Sequence, residues 1–292
     1  MRFFYLIILS FLISCDCPII EGQPGDDGAI GWTSTRNEPD GSIIDCQGKS
    51  MQAIIITESN TTIRNCNISG GIRIQGIARN GEDPALFKIS KALDYVSTIR
   101  ESSPVGVIVE DSTITATKMI PMYVGPGVGY TTIRNVTLAG SSVSVMIYLD
   151  AESHHTTITG SLIDSTESDR EAIAIDSSDH NNIYENTIVH NAGGIFLYRN
   201  CGQGGVVRHT TPSYNIIERN RFIGEGYAII LGSREGSRCY CDKDAGWPFG
   251  SSASDMDHSR FNIVRDNFLG ESRISVGVSG HSNLIENNLE KW

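Results

Sequence analysis

The feature that most constrains this chain is a short template that keeps returning. It consists of an apolar residue, two mostly polar residues, a small residue or Asn, one usually polar residue, and a second apolar residue. It reads Ile63-Arg64-Asn65-Cys66-Asn67-Ile68, then recurs from Val109, Ile133, Ile158, Ile183, Ile217, Val264 and Leu284. The copies that open at 109, 133, 158 and 183 stand about 25 residues apart, the length of one circuit in a stacked parallel β-solenoid, where every circuit adds short strands to long parallel sheets. A helical period of 3.6 residues does not fit these runs.

A second apolar run precedes most copies: Met122-Tyr123-Val124, Ile147-Tyr148-Leu149, Ile173-Ala174-Ile175, Ile195-Phe196-Leu197, Ile229-Ile230-Leu231 and Ile274-Ser275-Val276. Strand alternation turns the outer two residues of each run inward and the middle one outward. Stacked circuits lie about 4.8 Å apart, so residues about 25 positions apart in sequence become vertical neighbours. The fourth template position falls where the chain turns, and an amide there satisfies backbone groups of the next circuit. Asn186, Asn220, Asn267 and Asn287 are therefore expected to form a structural ladder.

These repeats, with the opening Ile43-Ile44-Asp45-Cys46-Gln47-Gly48 and the later Asp176-Ser177-Ser178-Asp179-His180-Asn181-Asn182-Ile183, resemble the right-handed parallel β-helix superfamily of pectate-lyase-like proteins. The resemblance implies an all-β fold, a single-domain right-handed parallel β-helix over residues 38–292 with loop insertions on one face. It implies carbohydrate chemistry only as a class, because that superfamily contains polysaccharide lyases, glycoside hydrolases, alginate epimerases and proteins with no demonstrated chemistry.

Residues 1–14 carry one positive charge followed by a short apolar run, too short to span a bilayer and typical of an export signal. The run ends in Leu12-Ile13-Ser14-Cys15, which resembles a bacterial lipobox and implies lipidation at Cys15, so the protein is expected to be exported and membrane-anchored, facing the periplasm or the cell surface. Residues 15–37, rich in Gly, Pro, Asp and Thr, read as a tether. Export permits disulfides. Cys46 and Cys66 either pair or fill the core, and Cys201, Cys239 and Cys241 suggest a staple between two long insertions. With 23 Lys plus Arg against 34 Asp plus Glu, the formal charge of -11 leaves no basic excess for a nucleic-acid partner.

The coil spacing breaks at 69–108, where residues 85–93 suggest a short helix or strand pair, at 200–213 and at 233–259. Such insertions in a solenoid tend to stand on one face and carry binding residues. Aligning the runs before the templates puts Asp150, Asp176 and Tyr198 in one surface column, followed by Arg199, then Glu152, Asn200 and Arg234. Tyr123, Tyr148 and Phe196 stack on the outward column beside them, and Arg208-His209 lies in the second insertion. Asp150 and Asp176 can also be read as turn caps, and the three aromatic side chains as a supporting surface stack. The charged run from Glu167 to Glu171 reads as solvated surface.

This constellation suits an acidic polysaccharide. Abstracting the proton beside a uronate carboxylate needs the substrate charge neutralised and a base close to the carbon-bound hydrogen. Arg199 or Arg234 would neutralise that charge, and Tyr198 or His209 would move the proton. Asp150 or Asp176 would position these groups or hold Ca²⁺. Tyr123, Tyr148, Phe196, Glu152, Asn200 and Arg208 would bind sugar. Ala174-Ile175-Asp176 with Asp179-His180 resembles the Asp-Pro-His-Asp region of bacterial mannuronan epimerases, with Ser177-Ser178 in place of its Pro-His pair. The reaction expected is β-elimination or epimerisation. The alternatives are a non-catalytic solenoid that binds glycan or protein, and hydrolysis by Asp150 and Asp176 acting together.

Overall fold

The computed structural model describes residues 33–34, 41–77, 89–200, 207–236 and 256–290. Residues 1–14, read above as an export signal, and Cys15, Cys201, Cys239 and Cys241 lie outside the described residues. Within them the chain forms three stacks of short parallel strands and one helix. The first stack, a nine-stranded sheet, holds β2 (Ile43–Asp45), β4 (Thr62–Arg64), β6 (Ile108–Glu110), β9 (Thr132–Arg134), β12 (Thr157–Thr159), β15 (Asn182–Tyr184), β18 (Ile216–Glu218), β21 (Ile263–Arg265) and β23 (Leu284–Glu286). The second holds β3 (Ser50–Ile56), β5 (Asn67–Ile74), β7 (Thr113–Thr117), β10 (Thr137–Ser141), β13 (Leu162–Asp164), β16 (Thr187–Val189) and β19 (Arg221–Ile223), and β1 (Thr33–Ser34) pairs with Ile54–Ile55 of β3, in line with Ile72–Arg73 of β5. The third holds β8 (Met122–Val124), β11 (Ile147–Leu149), β14 (Ile173–Asp176), β17 (Ile195–Tyr198), β20 (Glu225–Leu231) and β22 (Glu271–Val276). Long β5 joins the second and third stacks, pairing with β7 through Asn67–Ser69 and with β8 through Ile72–Ile74.

Register follows the apolar template. Ile63, Val109, Ile133, Ile158, Ile183, Ile217 and Val264 align in one column. All seven are fully buried among the side chains that fill the interior between the stacks. Each such aliphatic side chain contributes about 2–3 kcal/mol of transfer free energy, and β-branching suits it to a pleated surface.

The fourth template position is a ladder, as its chemistry requires. Asn186 Oδ1 accepts from Ser161 N at 3.0 Å, Asn220 Oδ1 from Asn186 N at 3.1 Å, and Asn267 Oδ1 from Asn220 N at 3.0 Å. The next rung is Asn288, which accepts from Asn267 N at 3.1 Å; it is not Asn287 as expected. The last coil pairs Ile285, rather than Leu284, with Val264, which shifts the template by one residue and leaves Asn287 at φ 54°. A second ladder, Asn181, Asn215, Asn262 and Asn283, runs up another corner with rungs of 2.8–3.0 Å.

Two corners demand a left-handed backbone on coil after coil. One is filled by Asn65, Asp111, Asn135, Gly160, Glu185, Arg219, Asp266 and Asn287. The other runs Gly41, Asn60, Gly106, Tyr130, His155, His180, Tyr214, Phe261 and Ser282. Positive φ is strained for side chains other than Gly, Asn or Asp, at a cost on the order of 1 kcal/mol or more each.

Cys46 and Cys66 are joined in a disulfide, so of the two readings open for this pair the first holds. Residues 85–88 of the segment where a short helix or strand pair was expected lie outside the described residues; farther along the same insertion stands the helix α1, Tyr95–Glu101. Its Tyr95 and Ile99 are buried.

Candidate functional site

The outward positions of β8, β11, β14 and β17 build a second, smaller apolar cluster outside the solenoid core, made of Ile120, Tyr123, Val145, Ala174 and Tyr198, with Tyr148 and Phe196 packed against it. Tyr123, expected on an exposed stack, is buried instead. Tyr148 and Phe196 are half-buried. Tyr123 and Tyr148 stack with ring centroids 6.0 Å apart.

Each buried hydroxyl in this cluster meets a carboxylate one coil away. Tyr123 donates to Asp150, Tyr148 donates to Asp176 Oδ2 at 2.8 Å, and Tyr198 donates to Glu171 Oε1 at 3.0 Å. The first two pairs follow from stacking, because Tyr123 and Tyr148 in the middle of one strand reach the residue that follows Leu149 and Ile175 on the next coil; Tyr198, at the end of β17, reaches back to Glu171 ahead of β14. Asp150 is 2% exposed and Asp176 fully buried. Burial pushes the Asp150 carboxyl up, against the pull of the Arg208 charge. Burial also raises the Tyr123 and Tyr148 phenols well above their ordinary range, and the neighbouring carboxylates raise them further.

Arg208 is the cation at the centre. It is 1% exposed. Burial disfavours its charge, but Asp176 and Asp150 outweigh that and hold the guanidinium above its usual pKa. Asn200 closes the Asp176 side, its backbone N–H donating to Oδ1 at 2.9 Å and its amide to Oδ2 at 2.7 Å, with a longer contact of 3.3 Å to the Tyr148 hydroxyl. Arg234 donates to Asn200 Oδ1, and its guanidinium lies 4.2 Å from the centroid of the Tyr198 ring.

On the far side Arg170 pairs with Glu171 through contacts of 2.7 and 3.0 Å and reaches the Tyr198 hydroxyl at 3.2 Å. Burial alone would raise the Glu171 pKa, but Arg170 reverses this and holds it below the usual carboxylate range. These two residues belong to the run expected to be plain solvated surface. Their position just before β14 was the available signal.

The geometry thus brings together Asp150, Asp176, Tyr123, Tyr148, Tyr198, Asn200, Arg208 and Arg234. Arg199 is not among them: its guanidinium donates to the Met256 carbonyl at 2.8 Å and its backbone N–H to Asp257 Oδ1 at 3.1 Å. Asp257 also accepts from Arg234 N at 2.8 Å, and burial lifts its pKa to about 7. Glu152 faces the backbone rather than an open groove, accepting from His209 N at 2.8 Å and Thr210 N at 3.1 Å. Burial raises its pKa and these bonds oppose the rise. His209 is half-buried, its Nε2 2.6 Å from the Ser90 carbonyl and its ring 5.2 Å from that of Tyr95.

A family description, "Right handed beta helix region", matches residues 52–242. The chain belongs to this family. No curated protein matches the sequence. Among solved structures, this right-handed β-helix protein is similar to the A-module of a mannuronan C-5 epimerase from Azotobacter vinelandii, at 10% identity and TM-score 0.40, over 82% of this chain and 68% of that one. It is also similar to a mutant tailspike protein of the E. coli bacteriophage HK620 in complex with a pentasaccharide, at 10% identity and TM-score 0.43, over 88% of this chain and 49% of that one.

In this β-helix protein, no three His, Cys, Asp or Glu side chains among the described residues are arranged to hold a metal. Asp150 and Asp176 already receive Tyr hydroxyls, Asn200 and the Arg208 charge, a donor-rich setting that does not fit Ca²⁺. Their burial likewise gives no support to hydrolysis, which needs both carboxylates open to sugar and water.

Proposed function

We propose that the outer face of β11, β14 and β17 binds an acidic polysaccharide and acts on its uronate units by β-elimination or epimerisation. The observation that carries this reading is Tyr148, a half-buried side chain whose hydroxyl is held between the Asp176 carboxylate and the Asn200 amide, with two guanidiniums close by. Both reactions begin with removal of the proton beside a carboxylate, and Arg234, with Arg170 at the other edge of Tyr198, suits neutralisation of that group. His209 suits the base: a carbonyl partner at Nε2 makes that nitrogen the donor and leaves Nδ1 as the acceptor. Tyr148, which burial keeps protonated, suits the acid that protonates the leaving oxygen or the opposite sugar face. Asp176 then orients Tyr148, Glu152 holds the His209 backbone, and Phe196 offers a half-buried ring to sugar.

Export through residues 1–14 and a lipid on Cys15 belong to the same proposal, and the Cys46–Cys66 disulfide is in keeping with an oxidising compartment. Replacing Cys15 by Ser is expected to release the protein from the membrane fraction.

The test of activity is incubation with alginate, pectin and glycosaminoglycans, reading unsaturated-uronate absorbance for elimination and proton NMR for epimerisation. Tyr148→Phe and His209→Asn should each lower the rate about 100-fold or more. An intact protein that yields neither product with any of these polymers would favour the second reading, a non-catalytic binding solenoid, to which the burial of Asp150 and Asp176 points.

A further inference from the structure

The two left-handed corners differ in a way the backbone does not explain. Both need positive φ on every coil. One meets that need with polar residues and Gly; the other places five rings in succession, Tyr130, His155, His180, Tyr214 and Phe261, between Gly106 below and Ser282 above. Bulky side chains are disfavoured in this conformation, so ring identity here is not a requirement of the fold.

The rings stack along the solenoid axis with centroid separations of 4.7, 5.0, 4.9 and 5.2 Å. Interplanar angles run from 4° to 26°. Stacking does not hide them: Tyr130 is 56%, Tyr214 51% and Phe261 49% exposed. The strip is about 20 Å long, one ring per coil. Its surroundings carry imidazoles and guanidiniums although the whole chain has a formal charge of -11. His154 lies beside His155, and His258, Arg260 and His281 flank the Phe261 end. Arg100 approaches from α1 and bonds Asp179 at 2.8 Å, while Asp179 also holds His180 at 2.9 Å. That carboxylate is thus already neutralised.

We propose that this corner is a second glycan-binding strip, on which an acidic polysaccharide lies parallel to the solenoid axis against Tyr130, His155, His180, Tyr214 and Phe261. Phenol and imidazole rims combine apolar surface with hydrogen-bonding atoms, which matches sugar chemistry. An extended pyranoside chain repeats on the same scale as the coils, and the Arg260 guanidinium at the Phe261 end favours acid groups. The strip takes its ligand class from the activity proposed above, but it stands one turn away from Asp150 and Asp176 and involves none of the residues assigned to chemistry. Arg100 links the two regions, donating to the Glu152 carbonyl at 3.0 Å as well as to Asp179.

The test uses affinity electrophoresis of the full chain through alginate, polygalacturonate and neutral dextran. The wild type is expected to be retarded by an acidic polymer and not by dextran. The triple variant His155→Asn, His180→Asn, Tyr214→Asn keeps residues tolerated at positive φ. It should bind about tenfold more weakly with an unchanged thermal midpoint. Tyr148→Phe leaves the strip intact and should be retarded like wild type, so wild-type turnover by this variant together with retained retardation would count against the proposed activity alone. Absence of retardation in the wild type, equal retardation by dextran, or wild-type binding by the folded triple variant would each overturn the strip.

Discussion

Asn220 shows how much one side chain can hold in this fold. Its amide donates to the Ile183 carbonyl at 2.8 Å and to Asn267 Oδ1 at 3.1 Å, and its oxygen accepts from both Asn186 N and Asn186 Nδ2. Asn220→Ala would strand several buried groups at once, at a cost of about 2–4 kcal/mol, read as a lower denaturant midpoint with an unchanged slope. Asn135→Gly, which removes the amide that bonds the exposed Asp111 side chain while keeping the left-handed backbone, should cost less than about 1 kcal/mol. The chemistry of this ladder was legible in the sequence because a small amide recurs at one place in each template. Its last rung was not, because Leu284 and Ile285 are both apolar, and only pairing with Val264 decides between them. The second ladder, through Asn181 and Asn215, was hidden because nothing in its local sequence distinguishes a turn amide from a stacked one.

At the scale of elements, column alignment along β11, β14 and β17 was enough to bring Asp150, Asp176, Tyr148, Tyr198 and Asn200 together. It could not say how the insertions fold back over them. Arg199 directly follows a strand and looked like the groove cation, yet its guanidinium turns to the segment at 256–257, and Arg208 arrives from the second insertion to act on both carboxylates. Glu152 fastens that insertion through the His209 and Thr210 N–H groups. Glu152→Ala should leave the β-sheet circular dichroism intact and raise the rate of proteolytic nicking near residues 207–210. The ring corner carries a pH dependence of definite sign. Burial, with Arg100 next, holds the His154 pKa down to about 4, below the ordinary value of 6.5. A group with a lowered cationic pKa stabilises the fold above its unfolded pKa, and that contribution is lost as pH falls from about 6.5 through 4. Asp257 also titrates upward from 3.8 to about 7, so its contribution is present in acid and is lost as pH rises through 7. Comparing wild type with His154→Gln isolates the first effect: the stability difference between them should shrink on acidification from pH 7 to pH 4 in urea titrations.

For the whole molecule, the solenoid makes stability a matter of neighbouring coils, so the two ends are the places where it is lost first. The C-terminal coil has no coil stacked beyond it among the described residues, and Ile285 is 40% exposed although its column partner Val264 is at 0%. The first coils differ in being covalently tied by Cys46–Cys66, which closes a loop with a sequence separation of 20. Constraining a loop of that length in the unfolded chain stabilises by about 3 kcal/mol, and in a solenoid this is felt where the link is. The double variant Cys46→Ser, Cys66→Ser should therefore speed amide hydrogen exchange in β2, β3 and β4 far more than in β14 and β17. Uniform acceleration along all coils would mean that the molecule unfolds as one unit, and that the disulfide acts on global rather than local opening. Protection of the C-terminal coil supplies the internal comparison: β23, which has no such link, should exchange fast in both proteins, so a change confined to the N-terminal coils would assign the effect to the bond.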